Sequence, residues 1–267
     1  MCLVSNESKG ESKGESEERM EWTPRQMMAV ALARQIQDGE TYIIGTGLPL
    51  IGATLAKQTH APNAKLIFET AIMEGDPAEL PSSVSDLRLN RQASVLWPQY
   101  RYFGFISLLG KRGKIKAGFL GGAQIDPYGN LNSTCTGGYG KPETRFSGSG
   151  GANGIATYCD TIITMKHEAR RFVEKVDYVT SPGWGDGPDG REKAGLDSRR
   201  GPRAVITELG ILRFDESDKR MYLSEYFPGV SIDTIRKNTG FPLNTEKAVR
   251  SEPPATEILK TLACIDG

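Results

Sequence analysis

Glu69 is the acidic residue whose position in the sequence best suits chemistry. It follows residues 66–68, a short apolar run typical of a buried strand. A carboxylate at such a strand end is partly shielded from water, which suits a general base or a carboxylate nucleophile. An ordinary acidic residue, paired or solvated at a strand end, fits the same pattern, and the residues alone leave both interpretations open.

Two glycine-rich segments, 121–130 (GGAQIDPYGN) and 144–156 (TRFSGSGGANGIA), could bind an anion. Consecutive glycines ahead of a helix expose backbone N–H groups that can receive an acyl oxyanion or an anionic ligand. The candidate residues are Gly121, Gly122, Ala123, Gly148, Gly150, Gly151, Ala152 and Asn153. Neither segment has the lysine of a phosphate-binding P-loop, and the second lacks the third glycine of a dinucleotide-binding GxGxxG motif. Nucleotide binding is therefore weakly indicated, and tight turns without a ligand remain an alternative.

Other features are weaker candidates for a site. Trp184 lies in a Gly/Pro segment, 180–192, where it could cover a ligand, although a buried Trp that anchors a turn is more common. The run 167–171 (HEARR) could bind an anion, but such charge runs usually form a solvated face. Cys135 and Cys159 lie near the glycine segments without an assured basic neighbour, so a reactive thiol is a minority interpretation.

Composition excludes several classes of function. The 267 residues carry 33 Lys plus Arg and 33 Asp plus Glu, a balance that argues against a nucleic-acid binder. The four cysteines form no CxxC pair, and the two histidines have no metal-ligand spacing, so we expect no disulfide framework, no metal site and a cytoplasmic location. Glycines and a proline interrupt the apolar stretch 41–56, which is shorter than the ~20 residues of a membrane helix. The N-terminal residues lack the basic and apolar regions of a secretory signal, so we expect none there.

The elements around these residues predict an α/β fold, a single open and mostly parallel sheet flanked by helices, with some antiparallel pairing toward the C-terminal half. Apolar runs predict strands at 41–45, 66–68, 101–110, 114–126, 160–167, 175–180 and 203–214. Helical spacing and caps predict helices at 23–39, 51–58, 231–238 and 253–263. Residues 1–20 contain a Ser/Lys/Gly/Glu repeat and predict a disordered acidic tail, which leaves 21–267 as one domain.

Several long segments resemble those of the class I CoA-transferases, in particular the B-subunits of the glutaconate type. The matching segments, in the same order, are 45–57, the Phe-Glu-Thr around Glu69, 83–88, 121–134, 144–158 and 176–192. Together they extend through most of the chain after about residue 22. Long uncommon strings in a shared order are a more specific signal than any short motif.

The resemblance implies the CoA-transferase fold and a CoA-transferase beta subunit. It implies an alpha-subunit partner in a heterodimer or higher heteromer, possibly a heterooctamer, with acyl-CoA and a small, dicarboxylic acid as substrates. Coenzyme A is then a substrate, and no cofactor is bound permanently. The implied reaction is a ping-pong transfer in which Glu69 is the nucleophile and carries a glutamyl-CoA thioester. Amides of Gly150, Gly151 and Ala152, with Gly121 and Gly122 behind them, would stabilise the oxyanion.

One departure from the family accompanies Glu69. The family usually has Ser-Gly or Asn-Gly after the glutamate, whereas this chain has Thr70 and Ala71. Losing the glycine could restrict the backbone beside the nucleophile. A decarboxylase or hydrolase of acyl-CoA that uses Glu69 as a base, or a non-catalytic CoA-binding subunit, therefore stays as an alternative, although the related decarboxylases and ring-opening hydrolases lack this glutamate.

Overall fold

A computed structural model describes residues 22–75, 79–83 and 86–266. The predicted tail, 1–20, lies outside the described residues. Among the helices in the described part of the chain, none is long and apolar enough to cross a membrane.

In the part of the chain that the structure describes, ten strands form one sheet. These strands are β1 (Thr41–Ile44), β2 (Lys65–Phe68), β3 (Ile72–Met73), β4 (Val95–Leu96), β5 (Ala117–Leu120), β10 (Asp160–Thr164), β11 (Pro202–Ile206), β12 (Gly210–Phe214), β13 (Met221–Tyr226) and β14 (Val249–Arg250). Their order across the sheet is β14-β13-β12-β11-β10-β5-β1-β2-β3-β4. The five central strands, from β11 to β2, are parallel. The predicted open α/β sheet is thus confirmed, with antiparallel hairpins at both edges.

Two short hairpins within the described residues lie outside this sheet. One pairs β6 (Gln124–Ile125) with β7 (Leu131–Asn132), and the other pairs β8 (Cys135–Gly138) with β9 (Lys141–Arg145). The first hairpin lies within the first glycine segment and the stretch just after it, and the second leads into the other glycine segment.

Helices cover both faces of the ten-stranded sheet. They are α1 (Pro24–Ala33), α2 (Leu48–Gln58), α3 (Tyr102–Lys111), α4 (Ala152–Tyr158), α5 (Gly190–Lys193), α6 (Ile232–Lys237) and α7 (Thr256–Asp266). Alternating side chains of the central strands divide between two apolar clusters: Tyr42 and Ile44 pack with α1, α2 and α7, while Ile43 packs with α3 and α4. A strand buried on both faces has a continuous apolar sequence, which is why β1 and β2 are recognisable in the sequence.

Local signals predicted several helices correctly. Thr23 caps α1 in a reciprocal capping box with Gln26, and Pro24 occupies the first turn. Ser231 accepts a hydrogen bond from the Thr234 amide at the start of α6. The first helix nevertheless ends at Ala33, earlier than the predicted stop near residue 39.

Two predicted strands are wrong. Residues 101–110 form mostly α3, in which Tyr102, Ile106 and Gly110 are buried at intervals of four. A short apolar run rich in aromatic residues is ambiguous between strand and helix, and here the helical spacing of the buried positions prevails. Residues 175–180 form no strand; Val176 is buried, whereas Tyr178, two positions later, is exposed, so the segment lacks the alternation of a half-buried strand.

Candidate active site

Glu69 begins a three-residue turn that joins β2 to the antiparallel β3. The Ala71 amide donates to the Phe68 carbonyl at 2.9 Å, and Ala71 has a φ of 65°. A tight turn followed by a residue in the left-handed region is a common three-residue hairpin connection. Ala71 therefore adopts a left-handed conformation that glycine takes more easily than alanine.

Replacing Ala71 should test the strain in this turn. Ala71→Val puts a β-branched side chain at positive φ beside a small cavity lined by Ile67 and Trp97, and we expect it to lower the free energy of unfolding by about 2 kcal/mol. Ala71→Gly is the control and should stay within about 1 kcal/mol, because relief of the left-handed strain offsets the greater freedom of the unfolded chain. Urea denaturation measures both variants, and an unchanged midpoint for Ala71→Val would contradict the prediction that a β-branched side chain is strained at this position.

The Glu69 carboxylate contacts the second glycine segment, 82 positions away in the chain. The Gly151 amide donates to Glu69 Oε1 at 2.7 Å. A Cβ at Gly151 would lie 2.8 Å from that oxygen, and a Cβ at Gly150 would lie 3.1 Å from it. The glycines thus let the backbone approach the carboxylate closely, and this bond holds Oε1, while no hydrogen bond to Oε2 is found among the described residues.

Glu69 lines an open cleft of about 180 Å³ at the carboxyl ends of the parallel strands. The cleft is lined by Ile43, Ile44, Gly45, Glu69, Phe119, Leu120, Gly121, Ser149, Ala152 and Ile155. In open α/β sheets this edge is where ligands bind, because loops from several strands meet there. The cleft combines apolar walls with one carboxylate and backbone amides, an arrangement suited to acyl chemistry.

The structure places the other predicted residues differently with respect to this cleft. Gly121 lines it, whereas the Ala123 amide donates to the Asn132 carbonyl at 2.8 Å. A Cβ at Gly122 would lie 3.1 Å from Leu131, in a packed turn. The first glycine segment therefore contributes Gly121 to the wall, and its neighbours hold the turn.

In the second segment, three predicted residues near Gly151 have amide groups that donate to backbone carbonyls of the protein. The Ala152 amide donates to the Ser149 carbonyl and the Gly148 amide to the Ser133 carbonyl, both at 2.9 Å. The Asn153 side-chain amide donates to the Thr180 carbonyl at 2.9 Å. Among these residues, the Gly151 amide is the one whose partner is Glu69.

The weaker candidates have structural roles. Trp184 is 4% exposed and donates to the Pro202 carbonyl, so it anchors its turn. His167 is buried between Thr207 and Thr239, and burial lowers its pKa to about 4, which keeps the ring neutral. Burial raises the pKa of the Cys159 thiol to about 12, which makes it a poor nucleophile.

Some residues at the site were not anticipated from the sequence. Ser149 and Gly45 line the cleft, and Gly45 follows β1 in a segment that resembles an ordinary turn. Arg191 is 1% exposed and contacts the last turn of α4, although its neighbours Asp189, Glu192 and Lys193 suggest a solvated charge run. In the described ranges, no group of three or more His, Cys, Asp or Glu residues is placed to hold a metal ion.

Comparisons with known proteins identify the family of this chain. The family model for coenzyme A transferase matches residues 25–238. The chain is 52% identical over 243 residues to the B-subunit of glutaconate CoA-transferase from Acidaminococcus fermentans, with 90% of this chain and 91% of that protein covered. It is 36% identical over 248 residues to the B-subunit of 3-oxoadipate CoA-transferase from Pseudomonas knackmussii, with coverage of 92% and 94%.

A solved structure extends the likeness to three dimensions. The crystal structure of glutaconate coenzyme A-transferase from Acidaminococcus fermentans matches with a TM-score of 0.87 at 51% identity, covering 91% of this chain and 94% of that one. The match of the family model, the two relatives and the fold lead to one conclusion: this chain belongs to the coenzyme A transferase family.

Proposed function

We propose that this chain is the beta subunit of a heteromeric CoA-transferase that moves coenzyme A between an acyl-CoA and a small dicarboxylic acid, with Glu69 as the nucleophile. The observation that carries the proposal is the hydrogen bond from the Gly151 amide to Glu69 Oε1 at the wall of the cleft. Its two relatives named above act, by their names, on glutaconate and 3-oxoadipate, which are both dicarboxylates.

The first half of the transfer begins at the free oxygen of Glu69. That oxygen attacks the thioester carbonyl carbon of the acyl-CoA, and the carbon–sulfur bond breaks to release the CoA thiolate and form an acyl-glutamyl anhydride. The thiolate then attacks Glu69 Cδ and expels the acyl group as its carboxylate. The product is a glutamyl-CoA thioester on Glu69, and the acceptor acid reverses these two steps.

The Gly151 amide has two tasks in this sequence. In the resting enzyme it holds Oε1, which orients the other oxygen toward the substrate. When the thiolate attacks Cδ, negative charge develops on Oε1, and the same N–H already points at that atom. A preorganised donor of this kind is typically worth about 3–4 kcal/mol in the transition state.

The alpha subunit completes the site in this proposal. The cleft beside Glu69 is open and about 180 Å³ in volume, which is too small to enclose a molecule as large as an acyl-CoA. Both relatives named above are B-subunits, so each works with at least one other chain. In a heterodimer or a higher heteromer, the alpha subunit would close the open side of the cleft.

The proposed thioester can be trapped. After incubation of the co-expressed heteromer with acyl-CoA, borohydride should reduce the glutamyl-CoA thioester to a primary alcohol and release CoA, with loss of activity. Mass spectrometry should then find the modification on the peptide that contains Glu69. A general base forms no such adduct, so an unmodified peptide and full activity after this treatment would contradict the nucleophile assignment. Borohydride without acyl-CoA is the control.

A further inference from the structure

Arg191 is a buried cation in the Gly/Pro segment 180–192, in which the proposed chemistry uses no residue. It is 1% exposed. Among the described residues, the five hydrogen bonds found for its guanidinium all go to backbone carbonyls, which are those of Pro182, Gly183, Asp197, Ala156 and Thr157. A buried charge is tolerated only when its donors are satisfied, and a planar guanidinium can bind several carbonyls at fixed angles.

Two of these carbonyls belong to the last turn of α4. Arg191 Nη2 donates to Ala156 O at 3.1 Å and to Thr157 O at 3.2 Å. The last four carbonyls of a helix have no partner within it, and a cation there also interacts favourably with the helix dipole. Arg191 therefore ties the end of α4 to the segment that carries the arginine.

The other end of α4 carries the amide that contacts the nucleophile. Gly151 directly precedes Ala152, the first residue of α4, and its carbonyl accepts from the Ile155 amide at 3.0 Å. A helix of seven residues is too short to be stable alone, so contacts with the rest of the protein set its position. A shift of α4 along its axis would move the Gly151 amide relative to Glu69.

A second tie joins α4 to the same segment. The Asn153 side-chain amide donates to the Thr180 carbonyl at 2.9 Å. Segment 180–192 thus holds α4 near both ends, through Asn153 at the first turn and Arg191 at the last. Asn153 is exposed, so water could hydrogen-bond to the groups it now joins. Arg191 is buried, and water cannot take over its hydrogen bonds to α4.

We infer that Arg191 is a positioning residue for the transfer reaction: by holding the carbonyls of Ala156 and Thr157, it sets the distance between the Gly151 amide and the Glu69 carboxylate. This inference rests on the proposed function, in which that amide acts on Glu69. It assigns a role to a residue outside the cleft that touches neither substrate nor nucleophile.

Arg191→Lys tests the inference, because lysine keeps the charge but has one ammonium group in place of the planar guanidinium. In the intact heteromer we expect kcat to fall about 10–100-fold while KM for acyl-CoA stays within about twofold, since the binding groups are unchanged and the reacting ones are misplaced. Single-turnover formation of the thioester on Glu69 should slow by the same factor. Hydrogen exchange at the Gly151 amide should rise about 10-fold or more, while exchange in β10 stays unchanged.

Arg203→Lys is the matched control. Arg203 lies in β11, donates hydrogen bonds to the Asp160 carboxylate and the Arg199 carbonyl, and is partly exposed. The same substitution there should leave kcat and Gly151 exchange at wild-type values. If Arg191→Lys folds and matches this control in both measurements, the inference is overturned.

The outcomes separate this inference from the proposed function. A lower melting temperature with unchanged kcat for the folded Arg191→Lys enzyme would assign Arg191 a structural role and leave the function standing. Absence of CoA transfer by the wild-type heteromer would refute the proposed function. Hydrogen exchange at the Gly151 amide would then still show whether Arg191 holds α4 in place. If Arg191→Lys does not fold, Arg191→Gln, which is uncharged and retains an amide donor, is measured in the same way.

Discussion

Replacing Glu69 with Gln should abolish CoA transfer, with a loss in kcat of at least about 10⁴-fold. The amide is nearly isosteric and its oxygen can still accept the Gly151 hydrogen bond, so the site should keep its geometry. An amide is nevertheless too poor a nucleophile to attack a thioester. Exchange of CoA between an acyl-CoA and free acid measures the effect, with acyl-CoA binding and urea unfolding measured in parallel.

The matched control for this prediction is Glu74→Gln. Glu74 follows β3 in the same hairpin, accepts from the Leu66 amide and pairs with Lys57 across a distance of 3.5 Å. Both side chains of that pair are partly exposed, so its loss should change stability by at most about 1 kcal/mol and leave kcat within about twofold. CoA transfer by the Glu69→Gln variant at a rate within tenfold of the wild type would refute the assignment of Glu69 as the nucleophile.

The second large effect is expected from Gly151→Ala, with kcat about 10²–10³-fold lower and the fold intact. Gly151 has φ −75° and ψ −13°, which alanine adopts without strain. The added Cβ would lie 2.8 Å from Glu69 Oε1, so the carboxylate must move away from the amide. The free energy of unfolding should change by less than about 1 kcal/mol, since alanine also restricts the unfolded chain.

Gly154→Ala provides the comparison, because it makes the same substitution three residues later in α4. A Cβ at Gly154 meets only Phe103, at 3.4 Å, and should favour the helix by up to about 1 kcal/mol. We expect wild-type kcat for this variant. Equal kcat values for Gly151→Ala and Gly154→Ala would show that close approach at Gly151 has no catalytic importance.

Glu69 and Gly151 differ in how far the sequence alone could predict their place in the site. Glu69 was recognisable because the apolar run before it marks a buried strand, a local signal that does not depend on the rest of the chain. The role of Gly151 was anticipated only through a resemblance and the general behaviour of glycine turns. Which of the neighbouring amides faces the carboxylate depends on how two segments 82 positions apart are placed, and no local pattern encodes that distance.

The wrong strand prediction for residues 101–110 and the unanticipated burial of Arg191 have the same origin, since both depend on contacts between distant segments. Residues 101–110 are apolar and aromatic, and a short run of that kind suits a strand or a helix until the surface it must cover is known. Packing of Gly110 against Tyr158 of α4 requires the close approach of two helices. Arg191 lies among charged neighbours and is buried because its donors find carbonyls from three separate segments.

By itself, the sequence determined the α/β class, the capped starts of α1 and α6, the buried strands β1 and β2 and the carboxylate that follows β2, because short local patterns of apolar and capping residues mark these features. Only the tertiary structure decided that Ala71 takes the left-handed turn, that Gly151 rather than its neighbours holds Glu69, and that Arg191 secures α4. Those outcomes follow from contacts between distant segments, where hydrogen-bond partners and close packing exist only after the sheet has brought the segments together.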